Sequence, residues 1–153
     1  MIRKRLYDVA RRYWKIRGPR LTVGVRALVA DDAGRICLIR HTYRDGWFLP
    51  GGGVKTGESL VDAITRELGE ETGIVPGTNS FPVHGVYSSF AEHKSDHVVV
   101  FVVKDWDRPS GSSSPEIAEV RFVDAMELPS DTSPATQRRI KEFVTGAPVG
   151  HRW

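Results

Sequence analysis

Runs of apolar and β-branched residues predict six strands along the chain. Two of them, Leu21 to Ala30 and Arg35 to Tyr43, are separated by turn-forming residues at 31–34, so we expect them to form a hairpin. The first strand is apolar at nearly every position, which is typical of a strand that is buried on both faces. The other predicted strands are 47–49, 81–90, 97–104 and 117–123.

Three segments have the periodicity of amphipathic helices. The segment 59–72 is followed by Gly73 at a C-cap position, and 134–144 is preceded by Ser133 as N-cap. Apolar residues also recur every three or four positions over 2–16. Strands and helices interleave without strict βαβ alternation, which predicts an α/β fold with a mixed sheet between helices.

The composition supports a single folded domain. The chain has 153 residues, of which 40% are apolar and 27% are charged. Its longest apolar run, Val98 to Val103, is far too short to span a bilayer, and the N-terminus lacks the apolar core of a secretory signal. Because Cys37 is the single cysteine, an internal disulfide is excluded, and we expect a cytoplasmic protein.

Positive charge is concentrated at the N-terminus. Residues 1–20 contain eight basic residues and one acid, whereas the remaining 133 residues contain 14 basic and 18 acidic residues. We therefore expect a basic amphipathic helix at 1–18 and a separate, mildly acidic domain at 19–153. The serine-rich segment 109–115 within that domain is predicted to be a flexible surface loop.

The predicted helix 59–72 carries acids on its apolar side. On a helical wheel, Glu67 and Glu71 fall within about 20° of Leu60, beside the apolar stripe, and Glu70 lies about 80° to the side. Three adjacent carboxylates at the negative end of a helix repel each other. A solvated acidic face that pairs with Arg66 is one explanation of this pattern.

A bound divalent cation explains the acids better. A site made of three carboxylates without histidine or cysteine suits Mg²⁺ or Mn²⁺ rather than Zn²⁺. The glycines at 51–53 and Gly57 lie just upstream, where their backbone can approach a ligand and their N–H groups can meet phosphate oxygens. Their spacing differs from that of the P-loop.

The segment Gly52 to Ile74 resembles the Nudix box, G-x5-E-x7-R-E-U-x-E-E-x-G-U, in which U is an apolar residue. All nine constrained positions match: Gly52, Glu58, Arg66, Glu67, Leu68, Glu70, Glu71, Gly73 and Ile74. The strand pattern resembles the fold of that family over about residues 20–146.

This resemblance implies an α/β/α sandwich around a mixed sheet. It also implies Mg²⁺-dependent hydrolysis of a nucleoside diphosphate linked to another moiety, with Mn²⁺ as a second candidate metal and a small nucleotide as substrate. The metal ligands implied are Glu67, Glu70 and Glu71, with Glu116, or else Glu119, as a further ligand from a later loop. Arg66 and Glu58 would support the box through an ion pair, and Gly52 and Gly53 would lie near the metal or the phosphates.

The sequence leaves alternatives for the residue that accepts a proton from the attacking water and for the residues that bind the nucleobase. Glu67 or Glu70 is expected to accept a proton from the attacking water, and Glu92 or His93 is the alternative. Three aromatic residues near the expected cleft could stack on a base or could simply belong to the core: Trp47, Tyr87 and Phe90.

Two other function classes stay open. One is a nucleotide-binding Nudix module without turnover, although every acid of the box is present. The other is an enzyme that the basic N-terminal helix directs to RNA 5′ ends or to anionic membranes. The apolar face of the same helix could instead pack on the body or on a second copy in a homodimer.

Overall fold

A computed structural model describes residues 21–77, 81–91, 95–108 and 110–153. The predicted helix at 2–16 lies outside these residues. The strands are β1 (Leu21–Val29), β2 (Ile36–His41), β3 (Trp47–Phe48), β4 (Val75–Pro76), β5 (Val83–Ser89), β6 (Ser95–Val103), β7 (Trp106–Asp107) and β8 (Ile117–Val123), and the helices are α1 (Leu60–Thr72) and α2 (Pro134–Thr145). Within the described part of the chain, no helix has the length and apolar character needed to cross a membrane.

The strands form a mixed sheet system, as predicted. In one sheet the strand order is β1-β6-β5, with β6 parallel to β1 and antiparallel to β5. In a second sheet the order is β3-β2-β8 and all pairs are antiparallel. The short strands β4 and β7, which the sequence pattern does not predict, pair with each other.

The predicted hairpin of the first two strands is wrong. Asp31 and Gly34 do form the turn, with the Gly34 N–H donating to the Asp31 carbonyl at 2.9 Å. However, β1 and β2 belong to different sheets and share only the isolated bridge between Ala30 and Ile36. The physical reason is that both edges of β1 are occupied: β6 pairs with one edge, and residues 50–54 bond to the other.

The two helices cover opposite faces of the sheet. Alternate residues of β1 point to opposite sides: Val25 and Ala27 pack in the same core cluster as Leu68 of α1, and Leu28 packs in the same cluster as Ile140 of α2. The predicted α/β/α arrangement is therefore confirmed.

The C-terminal end of α1 is anchored by the serine-rich loop. Gly73 ends the helix in the left-handed conformation, with φ 74°, as the glycine signal predicts. The N–H groups of Ser113 and Ser114 donate to the Glu70 carbonyl at 3.1 and 3.0 Å. The segment predicted as a flexible loop thus donates hydrogen bonds to a carbonyl near the end of α1, the helix that carries the acids of the Nudix-like motif.

Candidate active site

A glycine turn, residues 50–54, runs along the edge of β1 opposite to β6. The Val25 N–H donates to the Gly52 carbonyl at 2.9 Å, and the Val54 N–H donates to the Val23 carbonyl at 2.9 Å. These bonds fix the turn as a short antiparallel addition to the sheet. The backbone between β3 and α1 is therefore held in place by β1, which lies between this turn and β6.

Two glycines of this turn approach their neighbours too closely for a side chain. Gly51 has φ 134°, and a Cβ atom there would lie 2.2 Å from the Val25 carbonyl oxygen. A Cβ atom on Gly52 would lie 2.3 Å from Oε1 of Glu67. Glycine at these positions therefore brings the turn into contact with β1 on one side and with a box carboxylate on the other.

Arg66 links the turn to the helix through a network with Glu58, Glu67 and the Gly53 carbonyl, here called the Arg66 network. Its guanidinium donates to both carboxylate oxygens of Glu58, at 2.7 and 3.0 Å, and to the Gly53 carbonyl at 3.1 Å. Nη1 donates to Glu67 Oε1 at 2.7 Å. The bonds from Arg66 and from the Lys55 N–H lower the pKa of Glu58 to about 2.

The three box acids differ in their surroundings. Glu71 is buried, and its carboxylate accepts a 2.6 Å hydrogen bond from the Gly51 N–H. Burial raises the pKa of Glu71 to about 7, although this hydrogen bond acts in the opposite direction. Glu70 keeps 53% of its side chain exposed and lies 3.6 Å from Arg66 Nη1. Glu67 and Glu71 are thus oriented by the protein, and Glu70 faces solvent.

The three acids supply the type of ligand that a hard divalent cation prefers. Glu67, Glu70 and Glu71 offer carboxylate oxygens on the last two turns of α1, and the glycine turn contacts two of the three. Among residues 21–77, 81–91, 95–108 and 110–153, no three Asp, Glu, His or Cys side chains form a ready-made metal site. Their role as ligands, which requires side-chain rotation, stays a prediction.

A cavity of about 570 Å³ opens beside the glycine turn. Its wall includes Gly52 and Gly53 from the turn, Lys55 directly after it, Arg26 from β1, and Trp153. A smaller cavity of about 180 Å³ is also lined by Arg26 and Trp153. The larger space is of the size that proteins use to bind small molecules.

The other candidate residues lie elsewhere. Trp47 is 3% exposed, packs in the core beside α2 and lines neither cavity, so we do not retain it as a base-binding residue. Glu119 forms ion pairs with Arg40 and Arg121. Glu116 is exposed in the loop before β8, and its role as a metal ligand stays a prediction. Glu92 and His93 lie outside the described residues.

Arg26 and Trp153 are candidates that the sequence motifs do not indicate. Burial lowers the pKa of Arg26, while the nearby Glu71 carboxylate acts in the opposite direction. One arginine within the apolar sequence of β1 is a signal that could have indicated a special position. Trp153 carries no comparable signal, because it lies far from the box in the sequence.

The protein is an α/β/α sandwich in which α1 carries three carboxylates beside a glycine turn, and sequence comparison identifies its family. The NUDIX domain matches residues 20–143, so the chain belongs to the Nudix family. An ADP-ribose pyrophosphatase of Methanocaldococcus jannaschii is 32% identical over 111 residues, which are 70% of this chain and 64% of that protein. An RNA pyrophosphohydrolase of Xanthomonas campestris is 46% identical over 59 residues, 39% of this chain and 28% of that protein. The matched part is therefore less than two thirds of either relative.

Solved structures confirm the fold. A MutT NUDIX hydrolase from Burkholderia pseudomallei superimposes with a TM-score of 0.70 at 24% identity, covering 80% of this chain and 97% of that one. A MutT protein from Methanosarcina mazei gives a TM-score of 0.67 at 27% identity, covering 85% of this chain and 96% of that one.

Proposed function

We propose that this protein is a Mg²⁺-dependent pyrophosphohydrolase that cleaves a nucleoside diphosphate linked to another moiety. The observation that carries the proposal is the Arg66 network, which joins Glu58 and Glu67 of a complete Nudix box to the glycine turn at the edge of the larger cavity. The two relatives are named as a pyrophosphatase and a pyrophosphohydrolase, which supports the same reaction class.

The side chains around the cavity suit the charges of such a reaction. Arg26 and Lys55 place positive charge on the cavity wall, where the phosphates of a substrate would lie. A bound Mg²⁺ would neutralise the pyrophosphate and lower the pKa of a coordinated water. Glu70 is the more accessible of the two expected proton acceptors, because Glu67 already accepts a 2.7 Å bond from Arg66.

A substrate panel tests this proposal. Purified protein is incubated with ADP-ribose, nucleoside triphosphates, nucleotide sugars and 5′-triphosphate RNA, with Mg²⁺ or Mn²⁺. We expect release of a mononucleotide, or of pyrophosphate from RNA, that stops with a chelator and returns when Mg²⁺ is added. If no member is cleaved with either metal, the result contradicts hydrolysis of these substrates and favours the nucleotide-binding module without turnover.

Substitutions of Arg66 and of Glu58 are expected to reduce activity through the same interaction. Arg66→Lys keeps the charge but cannot form the paired bonds to Glu58, so the glycine turn and Glu67 shift. We expect kcat to fall by about tenfold, since small displacements in an active site are costly. Glu58→Gln is expected to have a similar effect.

The double variant is the control for this coupling. When both residues are changed, the loss in kcat should be clearly smaller than the product of the two single losses, because they break one shared interaction. Strictly multiplicative losses would contradict a joint role of Arg66 and Glu58.

A further inference from the structure

The last described residues, the tail segment 151–153, are bound to the edge strand β5. The Ser88 N–H donates to the His151 carbonyl at 2.9 Å, and the Trp153 N–H donates to the Ser88 carbonyl at 3.1 Å. A parallel bridge links Ser88 to Arg152. The tail segment therefore extends the sheet by one short strand beyond β5.

A buried arginine holds the tail segment from the other side. Arg139 of α2 is only 1% exposed, and its Nη1 donates to the Arg152 carbonyl at 2.8 Å. Its Nη2 donates to Glu142 at 2.8 Å, and the same carboxylate accepts bonds from the Gly150 N–H and the Tyr87 hydroxyl at 3.0 and 2.9 Å. Because a buried charge is costly unless it is well bonded, this network fixes the path of the chain into the tail segment.

The result is a defined position for the indole of Trp153. Its ring lies edge-to-face on Tyr87, at 5.9 Å between centroids, and is partly buried. Trp153 lines both cavities, and in the larger one it shares the wall with the glycine turn. An aromatic residue thus lines the same cavity as the backbone expected to meet the phosphates.

The lining of the larger cavity is partly polar and partly apolar. Gly52, Gly53, Lys55 and Arg26 suit phosphate oxygens, and the rest of the polar lining is Thr22, Thr56, Ser89 and the acid Asp96. The Asp96 carboxylate accepts a hydrogen bond from the Thr22 hydroxyl. Trp153 and Val98 contribute an apolar part of the wall, which suits a planar and largely apolar group. In a nucleotide, that group is the base.

We propose that Trp153 is a specificity-determining residue that contacts the base of the nucleotide, and that the tail segment forms this wall of the substrate site. The inference rests on the proposed function and names a binding element of the same site. Binding to a single aromatic plane is tolerant of base identity, since every base offers a π-face. We therefore expect Trp153 to favour nucleotides over phosphorylated sugars.

Product binding tests the inference without requiring turnover. AMP is titrated in the presence of Mg²⁺ against the unmodified protein, Trp153→Ala, Trp153→Phe and Trp106→Phe, by calorimetry and by tryptophan fluorescence. We expect Trp153→Ala to weaken AMP binding by about tenfold, the effect of losing one base–aromatic stack, and Trp153→Phe to retain most of the affinity.

Two controls make the result specific. Trp106, which stacks on Phe122, is the matched tryptophan: its removal should leave the AMP-induced fluorescence change in place, whereas Trp153→Phe should abolish it. Ribose 5-phosphate has a phosphate but no base, so Trp153→Ala should not alter its binding. With a hydrolysed substrate, Trp153→Ala should raise KM about tenfold and leave kcat within about twofold.

The outcomes separate this inference from the proposed function. Equal AMP affinity in Trp153→Ala and the unmodified protein, or absence of AMP binding altogether, overturns the role of Trp153 even if hydrolysis is found. Base-dependent binding through Trp153 without any hydrolysis supports this inference and rejects the enzyme. If Trp153→Ala does not fold, Trp153→Leu, which retains an apolar contact with Tyr87, is measured in its place.

Discussion

Replacing Glu71 by glutamine is expected to reduce kcat by about 100-fold or more while the protein stays folded. The amide oxygen can still accept the 2.6 Å bond from the Gly51 N–H, and the buried site no longer contains a charge that burial disfavours. What is lost is the negative charge that Glu71 would supply to the proposed cation. Even residues that only support metal ligands change activity by about 10- to 100-fold, so loss of a proposed ligand should cost at least as much.

Activity and melting temperature must be measured on the same samples. Glu71→Gln should melt within a few degrees of the unmodified protein, whereas Glu71→Ala should also be less stable because the Gly51 N–H loses its acceptor. Glu127, an exposed acid in the turn after β8, supplies the matched control: Glu127→Gln should be fully active. Retention of activity in Glu71→Gln would exclude Glu71 as a metal ligand.

The parts of the site that could be predicted from the sequence are those set by local spacing. Helix periodicity alone places Glu67, Glu70 and Glu71 on two turns of one helix. The cap signal at Gly73 predicts where that helix ends, and the structure adds Ser59 as its N-cap. The structure has α1 at these positions, because short-range hydrogen bonds and helix geometry do not depend on the rest of the chain.

Pairings between distant segments could not be predicted in the same way. A turn at 31–34 reverses the chain but does not decide which strands pair, and β1 instead pairs with β6 over nine residues. The core position of Trp47 and the contact of the tail segment with β5 likewise depend on residues far apart in the sequence. Which segments pair depends on the burial of the whole sheet. No single sequence motif contains that information.

Substituting Gly51 by alanine is expected to destabilise the protein by about 3 kcal/mol or more. A φ of 134° is unfavourable for any residue with a Cβ atom, at a cost of about 1–3 kcal/mol. The added methyl group would also lie 2.2 Å from the Val25 carbonyl oxygen, and forcing an atom into packed structure costs about 1–3 kcal/mol more. The clash would be between the backbone of the glycine turn and the backbone of β1, and neither can move aside as a flexible side chain would.

Gly53→Ala is the matched control for this substitution, since a Cβ atom on Gly53 would meet no atom within 4 Å. Thermal unfolding of the two variants should therefore differ by roughly 10 °C, with Gly53→Ala within about 2 °C of the unmodified protein. The Gly51 N–H also positions Glu71, so Gly51→Ala should lose activity at temperatures where it is still folded. If both variants melt together, the glycine turn does not contact β1 as closely as the structure shows, and the orientation of Glu71 must have another cause.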